Sequence, residues 1–267
     1  MLKKHNYLTY ALIGTVITSL LIWRFLVRNP EQDLTRAPKT NLPELLIGTN
    51  ADFPPFSYIQ DHKIVGFDID IATEVAERTK RLPILTDMSF EMLLPELQTG
   101  NIQVLAAGLT ITPERAQRVL FTKPYLAGAP LVIVSLNNNK IKTLSDLQNK
   151  TVIVNDGFTA DLYLSKYNSE HNNKINLIRL PTVADAFMSL NSGSANAYVG
   201  AENSLNLFLE RNGRDKYNLT EIAGTSEDCA LAISKKHPEL LPEIQAALDS
   251  MQADGTIAKL KAKWGLT

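Results

Sequence analysis

The sequence predicts an α/β fold divided between two lobes. Short apolar runs alternate with segments of helical periodicity along most of the chain, the pattern of strands joined by crossover helices and of mainly parallel sheets. About 220 residues carry this pattern in near-equivalent halves, which suits two lobes of roughly 100 residues each. Of the 267 residues, 45% are hydrophobic and 21% charged, a globular balance rather than a disordered one. The sequence contains no low-complexity tract and no short-period repeat.

The N-terminal segment stands apart from this pattern. Lys3 and Lys4 precede residues 7–23, an apolar run almost free of charge, as in the charged and apolar regions of an export signal. The run continues past Arg24 through Phe25, Leu26 and Val27, and neither a small-residue cleavage site nor a cysteine able to accept a lipid follows. Arg24 can snorkel and lengthen it, so residues 1–27 are expected to be a signal peptide or a retained membrane anchor. Basic residues flank both ends, so charge bias does not orient it. Residues 28–43 contain Pro30, Pro38 and Pro43 without periodicity and read as a linker.

The folded part opens with a strand at residues 45–47 and a loop in which Pro54 and Pro55 stiffen the backbone between Phe53 and Phe56. A helix follows Gly66, because Phe67, Ile71 and Val75 fall four apart and Ala72 and Ala76 widen that face. Asp68 and Asp70 near its start suit the helix dipole. Residues 84–85 form a strand. Ser89 opens a helix carrying Leu93, Leu94 and Leu97, and Gly100 closes it. Strands are expected at residues 102–107, 119–121, 131–136, 151–155, 175–180, 195–199 and 229–233. Between them lie a short helix at 144–147, one carrying Leu162, Tyr163 and Tyr167, one capped by Thr182, and one at about 204–210. Two helices end the chain, one from Pro238 and one capped by Thr256.

Residues 106–118, AAGLTITPERAQR, hold the densest chemistry. Thr112 is suited to cap a helix, and Pro113 to be its first residue, where a missing N–H costs nothing. A helix start attracts anions, and the guanidinium of Arg115 can grip a carboxylate bidentately. The stretch therefore reads either as a small-carboxylate site or as a plain strand–loop–helix junction with a surface arginine.

Other chemistry is missing. The single cysteine, Cys229, excludes an intrachain disulfide and reads as a small buried residue. His5, His62, His171 and His237 have no metal-ligand spacing, and no metal or cofactor is expected. Dinucleotide, phosphate-loop and nucleophile-elbow motifs are absent. The formal charge of −1 argues against a nucleic-acid partner. Binding is favoured over catalysis.

GFDIDIATEVAERT at residues 66–79 closely resembles the signature of the family 3 solute-binding proteins, which feed amino acids to ABC importers. IGTNADFPPFSY at 47–58, residues 93–125, DGFTADLYL at 156–164 and the closing GTIAKLKAKWG resemble further blocks of that family, in its order. The chain looks most like the binders of basic amino acids, especially arginine.

The resemblance implies the two-lobed periplasmic-binding-protein (type II) fold, with a ligand cleft between lobes joined by two crossovers. Residues 44–127 and 225–267 would make lobe 1, and residues 128–224 lobe 2. It places the ligand carboxylate on Arg115, Thr110 and the backbone near Gly108, completed by Thr159 of the second lobe. Ala107 and Gly108 stand where the family usually has serines. The acid that holds the ligand ammonium aligns nearest Ala201, so the adjacent Glu202 is expected to take that role. Phe53 and Phe90 would stack on the ligand side chain, and a planar guanidinium suits two ring faces. Asn50 stands where basic-residue binders often carry aspartate, leaving Asp52 or Asp156 to supply negative charge.

The expected function is capture of arginine, or another basic amino acid, by an exported monomer, periplasmic or at the cell surface. Delivery would be to an ABC permease in the inner or cell membrane. Alternatives are a dehydratase-type enzyme on this scaffold, and an anchored amino-acid sensor or adhesion protein.

Overall fold

The computed structural model describes residues 41–139 and 141–266. The expected signal or anchor at 1–27, and the linker as far as residue 40, lie outside them. In chain order come β1 (Glu44–Thr49), β2 (Asp52–Phe53), β3 (Ser57–Gln60), β4 (Lys63–Val65), α1 (Phe67–Arg78), β5 (Leu82–Asp87), α2 (Phe90–Thr99), β6 (Val104–Leu105), α3 (Pro113–Arg118) and β7 (Leu120–Phe121). Then follow β8 (Leu131–Leu136), β9 (Thr151–Asn155), α4 (Thr159–Glu170), β10 (Asn176–Leu180), α5 (Val183–Asn191), β11 (Ala197–Ala201), α6 (Glu202–Asn212) and β12 (Tyr217–Glu221). The chain closes with β13 (Ala232–Ile233), α7 (Leu240–Ala253) and α8 (Thr256–Trp264).

These strands build a sheet in each lobe, ordered β5-β1-β6-β13-β7 in one and β10-β9-β11-β8-β12 in the other. Each is parallel on one side and antiparallel on the other, rather than mainly parallel. The reason lies in the connections. β1, β5 and β6 are joined by α1 and α2, and such helical crossovers return the chain in the same direction. β13 re-enters the first sheet after the whole excursion through the second lobe, and pairs antiparallel with β6 and β7. The stiff loop around Pro54 and Pro55 also pairs more than expected, since β2, β3 and β4 form a small antiparallel sheet beside the first.

Helix α1 buries Phe67, Ile71, Ala72, Val75 and Ala76, the face its periodicity marks. Neither acid near its start caps it. Asp68 is buried, and Asp70 accepts from Lys263 Nζ at 2.6 Å and Trp264 Nε1 at 2.7 Å, tying α1 to α8. Gly100 closes α2 in the left-handed conformation, and Thr182 caps α5 by accepting from Asp185 N–H. At α8 the helix starts one residue earlier than a cap at Thr256 requires, and Asp254 takes the Thr256 N–H instead.

The chain passes between the sheets at residues 122–130 and again at 222–231, and the two crossovers run side by side. Cys229 N–H donates to Leu126 O at 3.0 Å, Tyr125 N–H to Cys229 O at 3.1 Å, and Glu227 N–H to Ala129 O at 3.1 Å. Gly128 sits where they press closest. A Cβ built there would lie 2.2 Å from Glu227 N and 2.6 Å from Glu227 C, backbone atoms that cannot swing away. Gly128→Ala is therefore expected to force the crossovers apart and destabilise by about 2 kcal/mol or more. In a thermal melt that is a fall of roughly 4–8 °C, and an unchanged midpoint would contradict it.

Candidate functional site

The cleft is built where the β6–α3 loop of one lobe faces the β9–α4 turn of the other, beside the crossovers. In the first lobe Gly108 adopts a φ of 60°, and a Cβ there would meet Phe53 Cε1 at 2.8 Å and Phe56 Cγ at 3.0 Å. Only glycine fits such a position. Its N–H donates to Asp68 Oδ2 at 2.5 Å and so is not free for a ligand. The expectation that the backbone near Gly108 donates to a carboxylate thus fails at this N–H, because the buried Asp68 has taken it.

Thr112 caps α3, its hydroxyl accepting from Arg115 N–H at 3.2 Å, and Pro113 is the first helical residue. The helix has only six residues, so its dipole adds little. Arg115 itself supplies the positive charge. It is 5% exposed, a burial uncommon for arginine, and its guanidinium lies 5.6 Å from the centroid of the Phe90 ring. One terminal nitrogen donates to Thr110 O at 2.9 Å, and the other crosses the cleft to Gly157 O at 3.1 Å. Burial pulls its pKa down to about 10, with the Glu227 carboxylate opposing, so it remains a cation at neutral pH.

In the second lobe the turn after β9 presents Phe158 and Thr159. Phe158 lies against both rings of the first lobe, 5.2 Å from Phe53 in an edge-on contact and 4.3 Å from Phe90. Thr159 starts α4, and its hydroxyl donates to the Glu227 carboxylate, as does the Thr110 hydroxyl at 2.6 Å. One carboxylate oxygen on the second crossover thereby accepts from a threonine of each lobe. Burial raises the pKa of Glu227, while the two hydroxyls and Arg115 oppose that rise.

Together these groups line a cavity of about 30 Å³, room for about two waters. Asn155, Tyr198, Ala201 and Asn203 contribute further to its wall, with the Tyr198 hydroxyl donating to Asn155 Oδ1 at 2.6 Å. A groove of about 720 Å³ shares Phe90, Arg115, Thr159 and Glu227 with it, so these four stand between the enclosed space and the open one. An amino acid exceeds this space, so its entry needs the cleft to open.

The structure brings together Phe53, Phe90, Gly108, Thr110, Arg115 and Thr159 around this cavity. It does not bring Asn50, Asp52, Asp156 or Glu202 there. Asn50 is buried elsewhere, its amide donating to Met88 O at 3.2 Å, and Asp52 and Asp156 are exposed. Glu202 begins α6, its carboxylate lies 3.9 Å from Arg214, and it does not line the cavity, whereas Ala201 does. A one-residue step at the start of a helix turns a side chain by about 100°, which is why Ala201 faces the cavity and Glu202 faces Arg214.

Glu227, Phe158, Asn155 and Tyr198 escaped the sequence reading. Glu227 lies in TSEDC, a stretch without periodicity or motif, and only the folding of the second crossover against the first brings it to the cleft. Cys229, read as a small buried residue, is buried and its thiol pKa is pushed well up, although it does line the cavity.

A model of the bacterial extracellular solute-binding proteins, family 3, matches residues 45–267. ABC transporter arginine-binding protein 1 of Escherichia coli (strain K12) is 28% identical over 223 residues, spanning 81% of this chain and 88% of that protein. A solved ancestral arginine-binding protein bound to arginine is 34% identical with a TM-score of 0.77, covering 83% of this chain and 97% of that one. An ancestral arginine-binding protein bound to glutamine is also 34% identical, with a TM-score of 0.75 over the same shares. Among the described residues no helix is long and apolar enough to cross a membrane.

Proposed function

Because the chain belongs to the bacterial extracellular solute-binding proteins of family 3, a family of substrate binders rather than enzymes, we propose that it captures arginine and hands it to an ABC permease. The observation that carries this reading is the buried Arg115 guanidinium, set at the cleft with the hydroxyls of Thr110 and Thr159 close by. A guanidinium and two hydroxyls suit an α-carboxylate once the hydroxyls, each with a single proton and here donating to Glu227, turn from it to the ligand as the cleft closes.

The side-chain choice rests on the aromatic walls. Phe53, Phe90 and Phe158 offer ring faces, and a desolvated guanidinium gains about 2 kcal/mol from such a face. No acid besides Glu227 lines the cavity among the described residues, so ring faces rather than Asp52 or Asp156 would hold the ligand's cationic end. Lysine and ornithine, with compact and strongly hydrated ammonium groups, would bind more weakly. In this reading residues 44–127 with 225–267 move against residues 128–224. The protein works as a monomer outside the cytoplasm, and the N-terminal segment serves for export or tethering.

Isothermal titration of the full chain against the twenty amino acids tests the proposal. Arginine is expected to bind at one per chain and tightest of the set. Tighter binding of glutamine or histidine would overturn the arginine assignment, and no binding of any amino acid would overturn the function.

A further inference from the structure

We infer that Glu227, on the second crossover, is the carboxylate that takes the ligand's α-ammonium. The inference rests on the amino-acid reading of the cleft but not on which amino acid binds.

The cavity wall holds one buried cation, Arg115, and one buried anion, Glu227, and every other lining residue among those described is uncharged at neutral pH. A site with one charge of each sign, both removed from water, is matched to a head group that also carries one of each. An isolated buried charge is costly, whereas a zwitterion placed against an opposed pair satisfies both. Glu227 is 8% exposed and held by hydroxyls on both sides, from Thr110 of one lobe and Thr159 of the other. Those contacts place its carboxylate beside the hydroxyls and Arg115, so when the hydroxyls turn to a ligand carboxylate Glu227 is left unpaired next to the adjoining ammonium. The other acids near the cleft in sequence do not compete: Glu202 turns toward Arg214, and Ala201, which does line the cavity, has no carboxylate. The positive end of an amino acid whose carboxylate rests on Arg115 therefore finds Glu227 as its acid.

A second arrangement makes the opposite prediction. If Glu227 merely fills the place of the ligand carboxylate on the two hydroxyls, removing its charge should help binding. Arginine and 5-guanidinopentanoate, which is arginine without its amino group, separate the two arrangements when titrated into the full chain and its Glu227→Gln variant. The substituted amide keeps the shape of the side chain and can still accept from the threonines. Loss of a hydrogen bond to a charged group is expected to weaken arginine by about 10- to 100-fold, with 5-guanidinopentanoate held within about threefold. Unchanged or tighter arginine binding in the variant would overturn the inference, as would equal losses for both compounds. If the wild-type chain prefers glutamine, the same comparison with glutamine and its desamino analogue, glutaramate, tests Glu227 although the arginine reading has failed. Should Glu227→Gln fold poorly by circular dichroism, Glu227→Asp replaces it. The shorter acid keeps the charge, and it is expected to discriminate against the desamino compound less than wild type does; discrimination equal to wild type would count against Glu227.

Discussion

Arg115→Ala is expected to weaken arginine binding by at least about a hundredfold. The guanidinium is 5% exposed, so a ligand carboxylate meets it with little water between them. Charge-assisted bonds of that kind contribute roughly 1.5–3 kcal/mol each, and two are lost together. The truncation also leaves the carbonyls of Thr110 and Gly157 without their donors, and it removes the cation that opposes the rise in the Glu227 pKa. Stability should therefore fall too, by about 1–3 kcal/mol, the cost of leaving buried polar groups unmet. Arg115→Lys separates the two effects, since it keeps the charge but lacks the planar fork. Its affinity is expected to lie between those of wild type and alanine. Titration calorimetry alongside urea unfolding reads both quantities. An alanine variant that binds arginine within about threefold of wild type would remove Arg115 from the site.

The cleft was legible in the sequence where local rules govern it. Thr112, Pro113 and Arg115 obey capping preferences that depend on neighbours a few residues away, and their geometry follows as expected. Phe53, Gly108, Thr110 and Thr159 were reached through motif blocks, and they meet at the cavity. Charge was not legible in this way. Whether an acid faces a cleft depends on the rotation of one side chain and on which strands lie side by side. Glu202 has a suitable position in the chain but turns outward from the start of α6. Glu227 has no local signal, and reaches the cleft because residues 222–231 pair with 122–130, about 100 residues earlier in the chain. The sheets tell the same story. α/β alternation was plain, but the antiparallel half of each sheet follows from long-range returns such as β13, which periodicity cannot register.

Asp68 carries the second large effect, on stability against pH. Its carboxylate is fully buried, with Oδ2 accepting from Gly108 N–H at 2.5 Å and Tyr125 hydroxyl at 2.7 Å, and Oδ1 without a partner among the described residues. Burial outweighs both donors and raises its pKa from 3.8 to about 6. Between those values the folded protein holds a proton that the unfolded chain has released. The stability conferred by that proton is complete below the unfolded pKa and is lost as pH rises through the folded one, a total of about 3 kcal/mol. Urea unfolding of wild type and Asp68→Asn from pH 4 to 7.5 isolates the effect, because Glu227 and the remaining acids titrate in both proteins and cancel in the difference. The asparagine variant is expected to gain about 2.4 kcal/mol relative to wild type across that interval, the part of the total that remains above pH 4, and parallel curves would refute the assignment. What the charge does in exchange is visible in its partners. It fixes the Gly108 turn that carries Thr110 and anchors Tyr125 on the first crossover, so it holds the loop and the hinge in one frame. A variant that is relatively more stable at neutral pH yet binds arginine less tightly would be the mark of a site maintained at the expense of fold stability.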